Sequence, residues 1–177
     1  MINIFLFGES IPPSKATAIS PATTATIGFG DPLQSDSDQI LVPIVISTDG
    51  TVFGLQANVS FDQNTMVMGE PRLVGRAEGF TIHYQVTDGT LRFVVFSTEG
   101  HALQPGSGTE ILIPIGLKDG TAAAVTLSDV ILSGGDADAI PVHLGTSTVR
   151  ASSAPESFAL RSAYPNPFNP STTIEYE

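Results

Sequence analysis

"QILVPIVIS", residues 39 to 47, decides how this chain is read. Ile40, Val42, Ile44 and Ile46 recur at every second position. In an extended strand successive side chains point to opposite faces, so the four share one face. Pro43 falls on the other face and has no N–H to donate to a ladder, which predicts an edge or bulge position for it.

The same period runs outward from this segment. In "VFGLQANVSFD" the residues Phe53, Leu55, Ala57, Val59 and Phe61 alternate with smaller or polar ones, the pattern of a strand with one wet face. "FTIHYQV" sends Ile82, Tyr84 and Val86 one way and Thr81, His83 and Gln85 the other. "LRFVVFS" and "EILIPIGLK" follow, the second with Ile111, Ile113, Ile115 and Leu117 in step, and "AAAVTLSDVIL" and "AIPVHLGTSTV" complete the series. No amphipathic helix is available to cover these apolar faces, so a second sheet must.

Turn chemistry points the same way. Asp49-Gly50, Asp88-Gly89 and Asp119-Gly120 each precede a Thr between strand candidates, where Asp and Gly tolerate the positive φ of tight hairpins. None of these stretches has oxygen ligands at the alternating positions of a calcium loop, so hairpin turns are expected. About eight or nine strands result, predicting an all-β, antiparallel β-sandwich of the jelly-roll or immunoglobulin-like kind.

Composition bounds the function. The 177 residues suffice for one domain with a core and arms at either end, and 41% hydrophobic content with 17 Gly and 13 Pro reads as globular and loop-rich. Seven Lys and Arg against 18 Asp and Glu leave a net charge of −11, which argues against gripping phosphate and so against a nucleic-acid partner. The absence of Cys removes disulfides, thiol catalysis and thiolate metal sites. No apolar run reaches the roughly 18 residues of a membrane helix.

From Ala18 to Val149 the order of features resembles a cohesin domain. The parallels are the "ILVPIVIS" strand around Pro43, the Gly-bearing strand Gly54 to Asp62 followed by "TMVMGEPRLV", then "GFTIHYQV" and "TLRFVVFS", and the Gly-introduced strand Gly106 to Leu117. The resemblance implies a jelly-roll sandwich of about nine strands. It also implies a non-catalytic module that binds a protein partner through one sheet face, in cohesins a calcium-loaded dockerin. It transfers no recognition residue. Exposure alone points to the polar side of the strands bearing Gln56, Asn58, His83 and Gln85.

The two ends read differently. Residues 1 to 17 form an N-terminal arm or leader remnant: "MINIFLFG" is apolar but lacks a basic segment, and Ala16-Thr17-Ala18 resembles a small-residue cleavage site. The alternative is an apolar strand carrying Ile2, Ile4 and Leu6. Residues 18 to 150 are expected to be the sandwich and 151 to 163 a linker. Beyond it "AYPNPFNPSTTIEYE" sets three prolines in six residues, which forbids helix and makes a stiff arm displaying Tyr164 and Phe168. "STTIEYE" then alternates Thr172, Ile174 and Tyr176 against Thr173 and Glu175.

Tyr164, Pro165, Asn166, Pro167, Phe168, Asn169 and Pro170, with Phe158 and Leu160 upstream, resemble the opening of the type A C-terminal sorting domain of the type IX secretion system. Ala163 stands where an amide residue is usual, and only the first strand of the sorting domain, residues 164 to 177, is present. The resemblance implies export to the outside or surface of a Bacteroidetes-like bacterium and contact with its secretion machinery. The single terminal strand leaves three readings open: a fragment cut at a domain boundary, a processed mature end, or an arm that completes the sheet of a neighbouring copy by β-augmentation.

Chemistry finds little purchase. There is no G-x-S-x-G, and His83, His101 and His143 are scattered, with His83 and His143 out of step with their apolar neighbours and hence solvated. The acidic residues form no privileged pair, no phosphate-cradling glycine motif occurs, and the chain is not expected to be an enzyme. For cofactors the expectation is none, with calcium the candidate exception: Asp36 and Asp38 in "SDSDQ", and Asp136 and Asp138 in "GGDADA", could each offer two hard oxygens. Two functions compete. One is a secreted, cohesin-like binding module. The other is a structural subunit of a filament or surface layer that exchanges strands through its terminal arms.

Overall fold

A computed structural model of the chain describes residues 23–35, 39–118, 122–135 and 138–152. Its strands are β1 (Ala25–Phe29), β2 (Leu33–Gln34), β3 (Ile40–Thr48), β4 (Gly54–Phe61), β5 (Met66–Met68), β6 (Arg72–Leu73), β7 (Thr81–Thr87), β8 (Thr90–Phe96), β9 (Gly106–Leu117), β10 (Ala123–Ser133), β11 (Ala139–Ile140), β12 (Val142–Leu144) and β13 (Thr148–Ala151). The one helical element among the described residues is a 3-10 turn at Gly75–Ala77. No helix there is long and apolar enough to cross a membrane.

The strands form two sheets. One runs β12-β1-β3-β9-β5, with β2 continuing β1 along β3 and β6 continuing β5 along β9; the other runs β11-β10-β4-β8-β7, with β13 sharing the β11 side of β10. All described pairings are antiparallel except β1 with β12, where Val142–Leu144 runs parallel beside the first described strand. The sandwich expected from the alternating pattern is therefore present, closed by one parallel pair.

Its core is the set of alternating residues. Ile40, Val42, Ile44 and Ile46 of β3 and Ile111, Ile113 and Ile115 of β9 are buried against Leu55, Ala57 and Val59 of β4, Leu91, Phe93 and Val95 of β8, and Val125, Leu127 and Leu132 of β10. Each of the larger side chains contributes about 1.5–3 kcal/mol by leaving water. Two sheets facing each other bury both apolar sides at once, which neither could do alone.

Three sequence expectations need correction. Pro43 is not on an edge strand: β3 lies between β1 and β9. It is tolerated because its backbone faces the break between β1 and β2, where its carbonyl accepts from Gly30 N at 2.9 Å. A residue's N–H and C=O leave a strand on the same side, so the missing donor falls in that gap. The bulge lies nearby but in β9, where the register slips between Ile44 and Val45 and leaves Glu110 unpaired.

The second concerns the Asp-Gly turns. Asp88 and Gly89 do form a two-residue hairpin, with φ of 49° and 69°. Asp49-Gly50 instead leads from β3 in one sheet toward β4 in the other, and neither residue has positive φ. A crossover between sheets needs no left-handed turn; Asp49 serves there as an acceptor for Thr24. Asp119-Gly120 lie outside the described residues.

The third concerns β7. Ile82, Tyr84 and Val86 do lie on the core side, opposite Val95, Phe93 and Leu91. Yet Tyr84 and Val86 remain 42% and 44% exposed, on the last strand of their sheet.

Candidate functional site

The outer face of β10, β4, β8 and β7 is built by the residues that alternate with the core. Register aligns them in rows: Ile131, Gln56, Val94 and His83; then Ser128, Asn58, Arg92 and Gln85; then Thr126, Ser60, Thr90 and Thr87. Gln56, Asn58, His83 and Gln85, the polar side expected from exposure, are thus brought together on one surface. They line a shallow depression with Arg92 and Val94.

Two details give the face its shape. The His83 ring stacks on Phe96, centroids 5.6 Å apart and planes within 10°, which fixes the imidazole against the sheet. At the other side, β10 slips register between Ser128 and Ile131, and Asp129 takes φ of 50°. Its carboxylate accepts from Asn58 Nδ2 at 2.7 Å and from Ser128 Oγ at 3.3 Å. The extra residue also changes which side chains of β10 point inward: Val125 and Leu127 before it are buried, and Leu132 after it. Ile131 is thereby turned outward and is 51% exposed, and Val94 near the middle of the face is 42% exposed.

Sequence reasoning did not single out Arg92, Val94, Asp129 or Ile131. Arg92 and Val94 were findable, since they alternate with Leu91, Phe93 and Val95. Ile131 was not, because the slip that exposes it is invisible in a sequence where Val130, Ile131 and Leu132 are all apolar.

What such a face can do is bind. It offers donors, acceptors, a cation, an anion and the exposed apolar side chains of Val94 and Ile131 on the outside of one sheet. Its one hydroxyl–carboxylate contact, Ser128 Oγ to Asp129 at 3.3 Å, joins neighbouring residues at the slip of β10. The other histidines lie elsewhere, His101 in the loop after β8, 3.5 Å from Glu99, and His143 on β12 in the opposite sheet. Among the described residues no three His, Asp or Glu are grouped to hold a metal ion. Asp138 is exposed, and its carbonyl accepts from Gly134 N at 2.9 Å. Asp36, Asp38 and Asp136 lie outside the described residues, as do Tyr164 to Pro170 and the arm residues Ile2, Ile4, Leu6, Thr172, Ile174 and Tyr176.

A second polar cluster is structural. Glu110, at the slip in β9, is buried; its Oε1 accepts from Arg76 Nε at 2.7 Å and its Oε2 from Ala77 N at 3.0 Å. Arg76 also donates to the carbonyls of Ile46 and Gln104, tying the 3-10 turn to β3 and to the loop before β9.

No family model matches the chain, and comparison with curated proteins gives no match. Solved structures do. A non-cellulosomal cohesin from the archaeon Archaeoglobus fulgidus is similar with TM-score 0.57 at 19% identity, over 72% of this chain and 90% of that one. A cohesin module of a family 33 glycoside hydrolase from Clostridium perfringens gives 0.57 at 15% identity, over 75% and 97%. A structure of a type I cohesin–dockerin complex from Clostridium thermocellum gives 0.59 at 13% identity, over 73% and 98%. At these identities the likeness is one of fold: the chain carries a cohesin-like β-sandwich that spans nearly the whole of each cohesin module.

Proposed function

We propose that this chain is a secreted or cell-surface, non-catalytic module that docks a protein partner on the outer face of β10, β4, β8 and β7. The observation that carries the reading is the composition of that face: Val94 and Ile131 stand exposed among the hydrogen-bonding groups of Gln56, Asn58, His83, Gln85 and Arg92. Exposed apolar side chains ringed by polar ones are the usual make-up of a protein interface. The cohesin-like fold supports it, since similar structures were solved as cohesin–dockerin complexes. A dockerin-like module is therefore the first partner to try.

Export belongs to the same reading. The run Tyr164 to Pro170, which resembles a type IX sorting signal, is the support for a type IX-like route and an extracellular or surface location in a Bacteroidetes-like bacterium. Deleting that run in the native host and fractionating the cells checks it: retention of the protein inside supports the route, and unchanged export refutes it.

Binding is tested by calorimetric titration of calcium-loaded dockerin modules into the chain and into its Val94→Asp and Ile131→Asp variants. Tight binding that falls about tenfold or more in either variant supports the docking face. Binding indifferent to both substitutions places the interface elsewhere. Ordered fibres in electron micrographs of the purified chain would instead favour the subunit that exchanges strands through its terminal arms.

A further inference from the structure

β7 is the edge strand of its sheet, and its own sequence carries no edge protection. Among the described residues it pairs on one side only, with β8, in unbroken register from Thr81↔Phe96 to Thr87↔Thr90. In a two-residue hairpin the closing pair exchanges both backbone hydrogen bonds, so Thr87, Gln85, His83 and Thr81 turn their backbone groups toward β8. Alternation then directs the N–H and C=O of Ile82, Tyr84 and Val86 to the open side. Protected edges carry a Lys, a Pro, a bulge or an inward charge. "TIHYQVT" has no Pro, no Gly and no Asp, Glu, Lys or Arg.

The strand also reads nearly the same in both directions. Reversed about Tyr84, Thr81 falls on Thr87, Ile82 on Val86, His83 on Gln85, and Tyr84 on itself. We propose that a second copy of this chain covers the edge, β7 against β7, antiparallel about a two-fold axis at Tyr84. Such an interface is self-complementary, as a two-fold requires. The open backbone groups of Ile82, Tyr84 and Val86 meet their own counterparts. The half-exposed apolar side chains of the core side come together, and the polar ones remain on the outer face. Asp88 falls opposite Phe80 of the second copy, so the pairing sets no acid directly against an acid despite a net charge of −11 per chain. A foreign strand would have no need of this internal symmetry. This pairing goes beyond the docking reading, since it uses the edge and leaves the outer face free; the two polar faces become one continuous surface.

Sedimentation of the whole chain over micromolar to submillimolar concentrations tests it, with Tyr84→Lys, Tyr84→Glu and Tyr84→Pro variants whose circular dichroism is compared with wild type. The chain should pass from monomer to dimer as concentration rises. Tyr84→Lys and Tyr84→Glu should each weaken the dimer about tenfold or more, and mixing the two should restore it, because opposite charges then meet at the axis. Tyr84→Pro removes an N–H that faces outward, so it should abolish dimerisation while leaving the β8 ladder intact. A chain monomeric throughout the range overturns the proposal, including the case in which residues 153–177 cover the edge of their own molecule. So does a dimer that ignores all three substitutions, or charge variants that fail to recombine.

Discussion

Arg76 and Glu110 meet at 2.7 Å, and the acid is the buried partner, with 1% of its side chain exposed against 25% for Arg76. The pair exists because β9 slips one residue against β3 and leaves Glu110 inside the rim of the sandwich. Burial of a carboxylate is costly unless it is paired and hydrogen-bonded, and here both conditions hold. The guanidinium neutralises one oxygen while Ala77 N satisfies the other.

The two sides of that pair should not be equivalent. Arg76→Met leaves a buried carboxylate without its counter-charge and should cost about 3 kcal/mol. Glu110→Gln keeps an acceptor for Ala77 N and leaves an arginine that reaches water, so about 1 kcal/mol is expected. Urea unfolding of both variants decides it; equal losses would show that the asymmetry of burial is not what governs the pair.

Gly75 sets the 3-10 turn at that clasp. Its φ is 60°, and a Cβ there would lie 2.6 Å from Thr109 O. Gly75→Ala combines left-handed strain with a backbone clash and should lose about 2 kcal/mol or more by thermal unfolding.

Asp49 predicts a pH dependence. The backbone N–H of Thr24 at 2.7 Å, and next its hydroxyl at 3.0 Å, hold the exposed Asp49 carboxyl below its ordinary value. A folded value below the unfolded one, about 3.9, stabilises the fold above that range, and the gain disappears as pH falls through the folded value. Asp49→Asn should therefore lower the melting temperature slightly and by a constant amount above about pH 5, with the gap closing in stronger acid. A gap that persists unchanged at low pH would show that the charge of Asp49 contributes nothing.

Asp129 holds the slip in β10 at φ 50° through its bond to Asn58. Asp129→Gly should be tolerated within about 1 kcal/mol, because glycine accepts that backbone. Asp129→Val should cost about 2 kcal/mol or more, since a β-branched residue is strained there and the bond to Asn58 is lost. The two melting curves separate the outcomes.

How much of this was legible beforehand differs by residue. The buried faces of β3, β4, β8 and β9 follow directly from Ile40 to Ile46, Leu55 to Val59, Leu91 to Val95 and Ile111 to Ile115. So does the grouping of Gln56, Asn58, His83 and Gln85, once those strands are neighbours. The exposure of Ile131, the interior place of Pro43 and the burial of Glu110 do not follow. Each depends on a break or slip against a partner strand distant in sequence.

The amino-acid order by itself determined that this is a two-sheet protein, since period-two apolar faces without a covering helix can leave water only by facing each other. It determined too that one face of the β4–β8–β7 group would be polar, and that β7 mirrors itself about Tyr84. Only the tertiary structure decided which strand became an edge, where the ladders slip, and that Asp49 clasps Thr24 instead of closing a hairpin. Alternation is local and is written residue by residue. Pairing, register and edges arise from contacts between segments far apart along the chain, which local pattern does not encode.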